Sequence, residues 1–393
     1  DNDKFTLPSE IISLGLERLY IGSYFNCKLN DIGLKKSKDL FPNMICSDIY
    51  GCTGFPSFCS KDIIGKLKNL PFGSALCTGT SHSLEDCVRF ESFKLEACAS
   101  DFVEYVALFD GHGGNEIALF LQENLCKTLE NYLRQSIKDE GLSFTNQGNS
   151  DEIITNVFTQ AFYDTDKNVE EKIKKDNIFD KYIGSTAITL LVTEKILYCA
   201  NVGDSRAVLA TIVENDSSDN NNTITLESLR LSTDHKPAKR EEAERVRKNG
   251  GILQASLSGT CSYRLTQPWG GPTLAVSRSF GDFHLRPALC VEPAVNCHTI
   301  NKLDQFFVVA SDGLWDVLTD KMCINIVARL LYHYSIELSI PMKKSCDIVA
   351  TQIRDLVHSL GSNDDLSVII VPLPTFNKDG NIEKFINSKE SKN

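Results

Sequence analysis

The sequence predicts a mixed α+β fold built from antiparallel sheets and flanking helices. Three observations carry that expectation. Apolar runs of strand length at 186–192, 196–201 and 206–213 follow one another too closely for a helix to fit between them. That is a hairpin rhythm rather than an alternation of strand and helix. Amphipathic stretches flank these runs, at 115–135 and 151–175 before them and at 319–333 and 344–360 after them. Finally, apolar strands run straight into short clusters of Asp and Gly at several separate places.

Composition sets the outer bounds. The chain has 393 residues, 42% hydrophobic and 24% charged, which is enough to bury a sizeable core. Lys and Arg total 41 against 52 Asp and Glu, a net charge of −11. General affinity for nucleic acid or an anionic membrane needs the opposite sign. No run approaches the ~18 apolar residues of a membrane span, and no leader pattern opens the chain. The fourteen cysteines include no C-x-x-C pair. Cys46, Cys52 and Cys59 are spaced too widely for a typical structural zinc site, so reduced thiols are expected. A cytoplasmic or nuclear location and a monomer are the default expectations. Asn215 and Asn221 each match a glycosylation pattern, read as chance without a secretory signal.

In chain order, residues 1–75 form an N-terminal extension without visible chemistry. Its apolar residues, among them Leu14, Leu16, Leu19 and Tyr20, imply packing on the core. Residues 87–91 suggest a strand, and Val103–Phe109 reads as a buried one. Ile117, Leu121, Leu125, Leu129 and Leu133 recur every four residues and define an amphipathic helix. Ile153, Val157, Phe158, Phe162 and Val169 define a second. After the three close strands, 214–224 is a polar loop, 240–249 a short charged helix, and 306–310 and 366–372 are the final strands. The tail at 374–393 is rich in Lys, Asn and Ser and is expected to be loose.

The acids fall where strands end. Phe109 leads into Asp110-Gly111-His112-Gly113-Gly114, and Ala200 into Asn201-Val202-Gly203-Asp204. Ala310 leads into Ser311-Asp312-Gly313-Leu314-Trp315-Asp316. Asp364-Asp365 stands just before the last strand, and Glu85-Asp86 before the strand at 87. Any one of these can be read as a hairpin turn, because Asp-Gly is a preferred turn dipeptide. Turn-making needs neither the His after Asp110-Gly111 nor a second Asp four residues after Asp312. The set reads instead as hard oxygen ligands for Mg²⁺ or Mn²⁺. Two such ions ~3.5–4 Å apart make a nucleophile of water near neutral pH, suited to displacement at phosphorus. Other catalytic signatures are missing: there is no GxxxxGK[ST], GxGxxG, GxSxG or HExxH.

Taken in order, the motifs resemble those of the metal-dependent type 2C protein serine/threonine phosphatases, the PPM family. They are Leu84-Glu85-Asp86, Phe109–Gly114, Gly184-Ser185-Thr186-Ala187, Asn201–Arg206, Asp234-His235-Lys236-Pro237, Asn249-Gly250-Gly251, Leu274–Asp282, Ala310–Asp316 and Asp364-Asp365-Leu366-Ser367. The resemblance implies a four-layer αββα sandwich, two antiparallel sheets flanked by helices, over a catalytic domain at 76–373. It implies hydrolysis of phosphoserine and phosphothreonine in proteins by a water that bridges two metal ions, Mg²⁺ or Mn²⁺. By motif position, Asp110 bridges both ions and the Gly111 carbonyl ligates one. Glu85 and Asp86 hold one side of the centre; Asp312 and Asp364 hold the other. Asp204 and Asp316 match the acids of a weaker third site. His112 matches the general acid for the leaving alkoxide, a role that suits a side chain titrating near neutral pH. Residues 236–272 match the variable flap beside the cleft, where Trp269 is expected to pack inward.

Two positions depart from the family pattern. The Arg that grips the substrate phosphate is replaced by Ser81, and a hydroxyl cannot copy a planar bidentate fork. His82, Arg89 or Lys236 could take over that contact. Asp365 stands where the family usually has Asn and is expected to add negative charge beside the metals. The departures raise an alternative, a catalytically weak pseudophosphatase acting as a signalling scaffold. A small-molecule phosphohydrolase is a third reading. Against the scaffold, every matched ligand position is still acidic, and unpaired neighbouring charges destabilise a fold unless they are used.

Overall fold

A strand that is apolar along its whole length is one whose two faces are both covered. Four segments here have that character, and the computed structural model buries every residue of each. It describes residues 63–79, 83–95, 102–144, 149–176, 182–215, 223–255 and 263–390. The chain opens with β1 (Ile63–Gly65), β2 (Gly73–Cys77), β3 (Cys87–Lys94), β4 (Phe102–Phe109) and the short β5 (Gly111–His112). Helices α1 (Glu116–Asp139) and α2 (Asn149–Asp176) follow. Then come β6 (Gly184–Ser185), β7 (Ala187–Val192), β8 (Ile196–Val202), β9 (Arg206–Asn215) and β10 (Thr223–Arg230). The next stretch holds α3 (Arg240–Lys248), the hairpin β11 (Ile252–Ala255) and β12 (Tyr263–Thr266), β13 (Phe280–Gly281), β14 (Ala294–Thr299) and β15 (Asp304–Ala310). The chain closes with α4 (Asp312–Trp315), α5 (Asp320–Tyr332), α6 (Met342–Ser359), β16 (Leu366–Pro372) and α7 (Asn381–Glu390).

Two sheets form the centre. One has the order β1-β3-β4-β7-β8-β14, the other β10-β9-β15-β16-β2. All pairings are antiparallel except β1 with β3. Val88, Phe90, Val106, Leu108 and Leu190 of the first sheet meet Leu209, Phe307, Val309 and Ile369 of the second between the layers. The opposite face of the first sheet, with Phe93, Tyr105 and Phe109, is covered by α1 and α2. That of the second, with Phe306, Val308 and Ile370, is covered by α5, α6 and α7. The result is the expected αββα sandwich, with side chains of period two sorted to alternate faces.

The strands at 186–192, 196–201 and 206–213 correspond to β7, β8 and β9; of the polar stretch expected at 214–224, Asn215 ends β9 opposite Thr223 of β10, and residues 216–222 lie outside the described residues. Two expectations are corrected. The tail is not loose throughout: α7 places Ile382 and Phe385, which are 0% and 3% exposed, in the core beneath the second sheet. Ile382, Phe385 and Ile386 sit at helical spacing inside a polar background, so composition hid them. The boundary at 75/76 cuts through β2, which pairs with β16 and belongs to the second sheet. Of the N-terminal extension, residues 1–62 lie outside the described residues. From the rest, Ile63, Leu67, Leu70 and Phe72 pack on the inter-sheet core.

Candidate active site

Antiparallel pairing decides where the acids meet. Cys87 lies opposite Phe109, so Asp86, just before β3, and Asp110, just after β4, share one edge of the sheet. Ala310 lies opposite both Arg206 and Val368, which brings Asp204 before β9, Asp312 after β15 and Asp364 before β16 to the matching edge of the second sheet. Asp312 opens the short α4, and Asp316 closes it at the exposed rim. The backbones crowd together here. A Cβ on Gly111 would stand 2.6 Å from the Glu85 carbonyl oxygen, so only glycine lets these two segments touch.

Crowded carboxylates resist ionisation. Burial, then the charges of Asp86, Asp312 and Asp204, hold the Asp110 carboxyl well above the ordinary carboxylate range. Burial pushes Asp86 up to about 8, and the Asp365 charge adds to it. Asp86 is fully buried, and neither of its oxygens has a hydrogen-bond partner among the described residues. The Ser311 and Ser367 hydroxyls lie nearby and favour its charged form. Asp312 is raised well above its ordinary value by burial and by Asp204, with partial relief from Lys236. Among the described residues no three His, Cys, Asp or Glu side chains already stand at metal-ligand spacing. One ammonium lies among the acids instead: Lys236 donates to Asp204 and lies 3.4 Å from Asp312 Oδ2. The donor set suits Mg²⁺ or Mn²⁺, since it is all hard oxygen and includes a buried, orphaned carboxylate that a cation would satisfy.

His112 is held by a residue 170 positions further along the chain. Its Nε2 lies 2.7 Å from Asp282 Oδ2. Asp282 is 1% exposed, sits in the left-handed region at φ 48°, and also accepts from the Ser279 hydroxyl at 2.6 Å. Burial alone would lower the His112 pKa; the charge and hydrogen bond of Asp282 outweigh it, and the net shift is upward. A Cβ on Gly184 would fall 2.0 Å from Asp282 Oδ2 and 2.3 Å from His112 Nε2, so this glycine makes room for the pair. Behind it, Asp166 accepts from the Gly281 N–H at 2.9 Å and from Arg286 at 2.8 Å. The sequence reading missed Asp282 and Asp166. The signal was the Gly-Asp that ends Leu274–Asp282, a motif quoted without a role for its acid.

The remaining predicted positions separate. Glu85, Asp86, Asp110, Gly111, His112, Asp204, Asp312, Asp316 and Asp364 gather at one edge, with Lys236 among them. Arg89 does not. It lies on the helix-facing side of β3, where it pairs with Glu91 at 2.7 Å and lies close enough to Cys126 of α1 to affect its thiol. Burial of a strand alternates by twos, and Arg89 has the parity of Cys87 and Phe93 rather than that of Val88 and Phe90. Ser81 and His82 lie outside the described residues. Asp365 does more than add charge: its carboxylate accepts from the Gly79 and Glu85 N–H groups, both at 2.6 Å, and so holds these two backbone positions together. Trp269 does not pack inward. It is 80% exposed.

Comparison with known proteins bears on this geometry. The family model "Protein phosphatase 2C" matches residues 72–366, three quarters of the chain and every acid named above. The chain belongs to the protein phosphatase 2C family. Protein phosphatase 2C 16 of Arabidopsis thaliana is 29% identical over 293 residues, covering 68% of this chain and 52% of that protein. Probable protein phosphatase 2C 11 of the same plant is 31% identical over 300 residues, covering 76% of this chain and 66% of that protein. The chain thus spans about half the length of some curated relatives that it matches. Among solved structures, a serine-threonine phosphatase 2C from Toxoplasma gondii superposes with a TM-score of 0.59 at 19% identity, covering 77% of this chain and 94% of that one. A sex determining protein of C. elegans gives a TM-score of 0.60 at 22% identity, covering 82% and 68%. At that identity the likeness speaks for the sandwich alone. Within the phosphatase 2C chain, no helix among the described residues is long and apolar enough to cross a membrane.

Proposed function

We propose that this chain is an active, metal-dependent phosphatase that hydrolyses phosphoserine and phosphothreonine in proteins. The observation that carries the reading is the convergence of Glu85, Asp86, Asp110, Asp204, Asp312 and Asp364 on one edge of the sandwich, beside a His112 whose pKa Asp282 raises. Asp110, the Gly111 carbonyl, Asp312 and Asp364 would hold two Mg²⁺ or Mn²⁺ ions, with Glu85 and Asp86 supporting them. Asp204 and Asp316 would serve a weaker third. When bound, the ions supply Lewis acidity and a nucleophile from water near neutral pH.

The chain's own residues do the rest. Asp282 holds the Nε2 proton of His112, which leaves Nδ1 as the atom that donates to the departing serine or threonine oxygen as its bond to phosphorus breaks. Asp365 fixes the Glu85-Asp86 segment through the Glu85 N–H and holds the Gly79 N–H with its other oxygen. With Arg89 on the helix-facing side of its strand, His82 or Lys236 would meet the substrate phosphate. The substrates are phosphoproteins and the working unit a monomer. The setting belonging to this reading is cytoplasmic or nuclear.

The test is phosphate release from a phosphothreonine peptide by metal-stripped protein titrated with Mn²⁺ and Mg²⁺, with Asp312→Ala alongside. The reading expects activity that rises with metal and is lost in the variant. A folded parent that stays inactive at every metal concentration would assign the fold to a scaffold instead.

A further inference from the structure

Lys236 is held too firmly to be an incidental surface lysine. The residue before it, His235, is stapled to the turn that carries Asp204: its N–H donates to the Gly203 carbonyl at 2.8 Å, and its Nδ1 accepts from the Gly203 N–H at 3.2 Å. The His235 carbonyl accepts from the Ser277 N–H at 2.9 Å and from its hydroxyl at 3.0 Å. One residue further back, Asp234 is gripped by Arg206 at 3.1 and 2.7 Å. The loop therefore delivers the ammonium to one place, against Asp204 and Asp312. Its side chain is only 25% exposed there. Among the described residues, no other Lys or Arg forms an ion pair with Asp110, Asp204, Asp312 or Asp364.

We propose that Lys236 is a resident cation that occupies the Asp204–Asp312 pair in the metal-free protein, and that a metal ion must displace it to use that pair. The inference rests on the metal-dependent reading above and adds an order to it. The ion that needs Asp204 pays the cost of evicting an ammonium, so it binds last and most weakly. The same ammonium keeps neighbouring carboxylates from repelling one another before any metal arrives. Removing it must therefore act in opposite directions on two quantities: the metal-free fold loses stability, while metal affinity at this pair rises. A lysine that merely supports the loop would lower stability without tightening metal binding.

The experiment is calorimetric titration of metal-stripped protein with Mn²⁺, with thermal unfolding in the absence of metal, for the parent, Lys236→Met and Lys236→Arg. Lys236→Met is expected to bind its weakest ion about tenfold more tightly and to unfold at a lower temperature without metal. Lys236→Arg, which keeps the charge, should bind no more tightly than the parent. Equal or weaker Mn²⁺ binding by a folded Lys236→Met, in a parent that does bind metal, overturns the inference and leaves the phosphatase reading standing. A parent that binds no Mn²⁺ overturns both. Should Lys236→Met fail to fold, ¹⁵N-lysine spectra of the parent decide. The slowly exchanging Lys236 ammonium signal should disappear on saturation with Mg²⁺, and its persistence would overturn the proposal.

Discussion

Asp282→Asn isolates the proton donor from the rest of the site. The substitution preserves size at a position 1% exposed and removes only the charge that faces His112. A hydrogen bond to a charged group contributes about 1.5–3 kcal/mol, which at about 1.4 kcal/mol per tenfold is roughly 10- to 150-fold. The variant should therefore lose about 10- to 100-fold in kcat on a phosphothreonine peptide, inside the ~10²–10⁴-fold that general acid catalysis supplies. The assay compares that peptide with an aryl phosphate, whose acidic phenol leaves without help. On the aryl substrate the loss should stay below about threefold. The pH profile gives an independent check. A general acid fails once it has lost its proton, so the upward shift of His112 extends activity toward alkaline pH, and Asp282→Asn should move that limb to lower pH. Equal losses on both substrates, or no loss on the peptide, would refute the assignment of His112 as proton donor and Asp282 as its positioning residue.

Three further outcomes follow from the same geometry. Gly184→Ala puts a methyl group 2.0 Å from Asp282 Oδ2, so it should reproduce the substrate-selective loss of Asp282→Asn, read in the same two assays. Burial pushes Glu242 up, but hydrogen bonds from Arg278, Arg245 and Ser277 outweigh it and bring its carboxyl from 4.5 to about 2. Its folded pKa lies below the unfolded one, so its contribution, on the order of 3 kcal/mol, is complete above pH 4.5 and lost as pH falls toward 2; thermal unfolding should show a steeper acid loss for the parent than for Glu242→Gln. Phe385→Ala should cost about 3–5 kcal/mol in denaturant unfolding, whereas a loose tail predicts no change.

The antiparallel strands were legible because the central ones are covered on both faces and therefore read as unbroken apolar runs; their stacking into a four-layer sandwich came from the family resemblance. Strand β14 was not, because it is an edge strand whose Asn296, Cys297 and His298 carry little apolar signal. The acids were legible one by one, since each ends or precedes a strand and antiparallel pairing brings such ends together. Partners distant in sequence were not. Asp282 reaches His112 across 170 residues through the small sheet β13-β6-β5, and nothing local announces that contact. Asp365 was read as charge alone because sequence shows a carboxylate but not the two N–H groups it binds. Arg89 was misplaced for a different reason: closeness to Glu85 along the chain says nothing about the face of a strand, although the alternation of Val88 and Phe90 with Cys87 and Phe93 held the answer.

The central claim is that the acid edge works as a metal centre for phosphate ester hydrolysis, and one measurement addresses it most directly. Metal-stripped protein is titrated with Mn²⁺ while bound metal and phosphate release from a phosphothreonine peptide are followed in the same sample, with Asp110→Asn beside the parent. The account predicts that release begins only as ions bind, and that Asp110→Asn loses tight metal binding and turnover together. Turnover without bound metal, or an Asp110→Asn protein that binds metal and hydrolyses the peptide as the parent does, would contradict it.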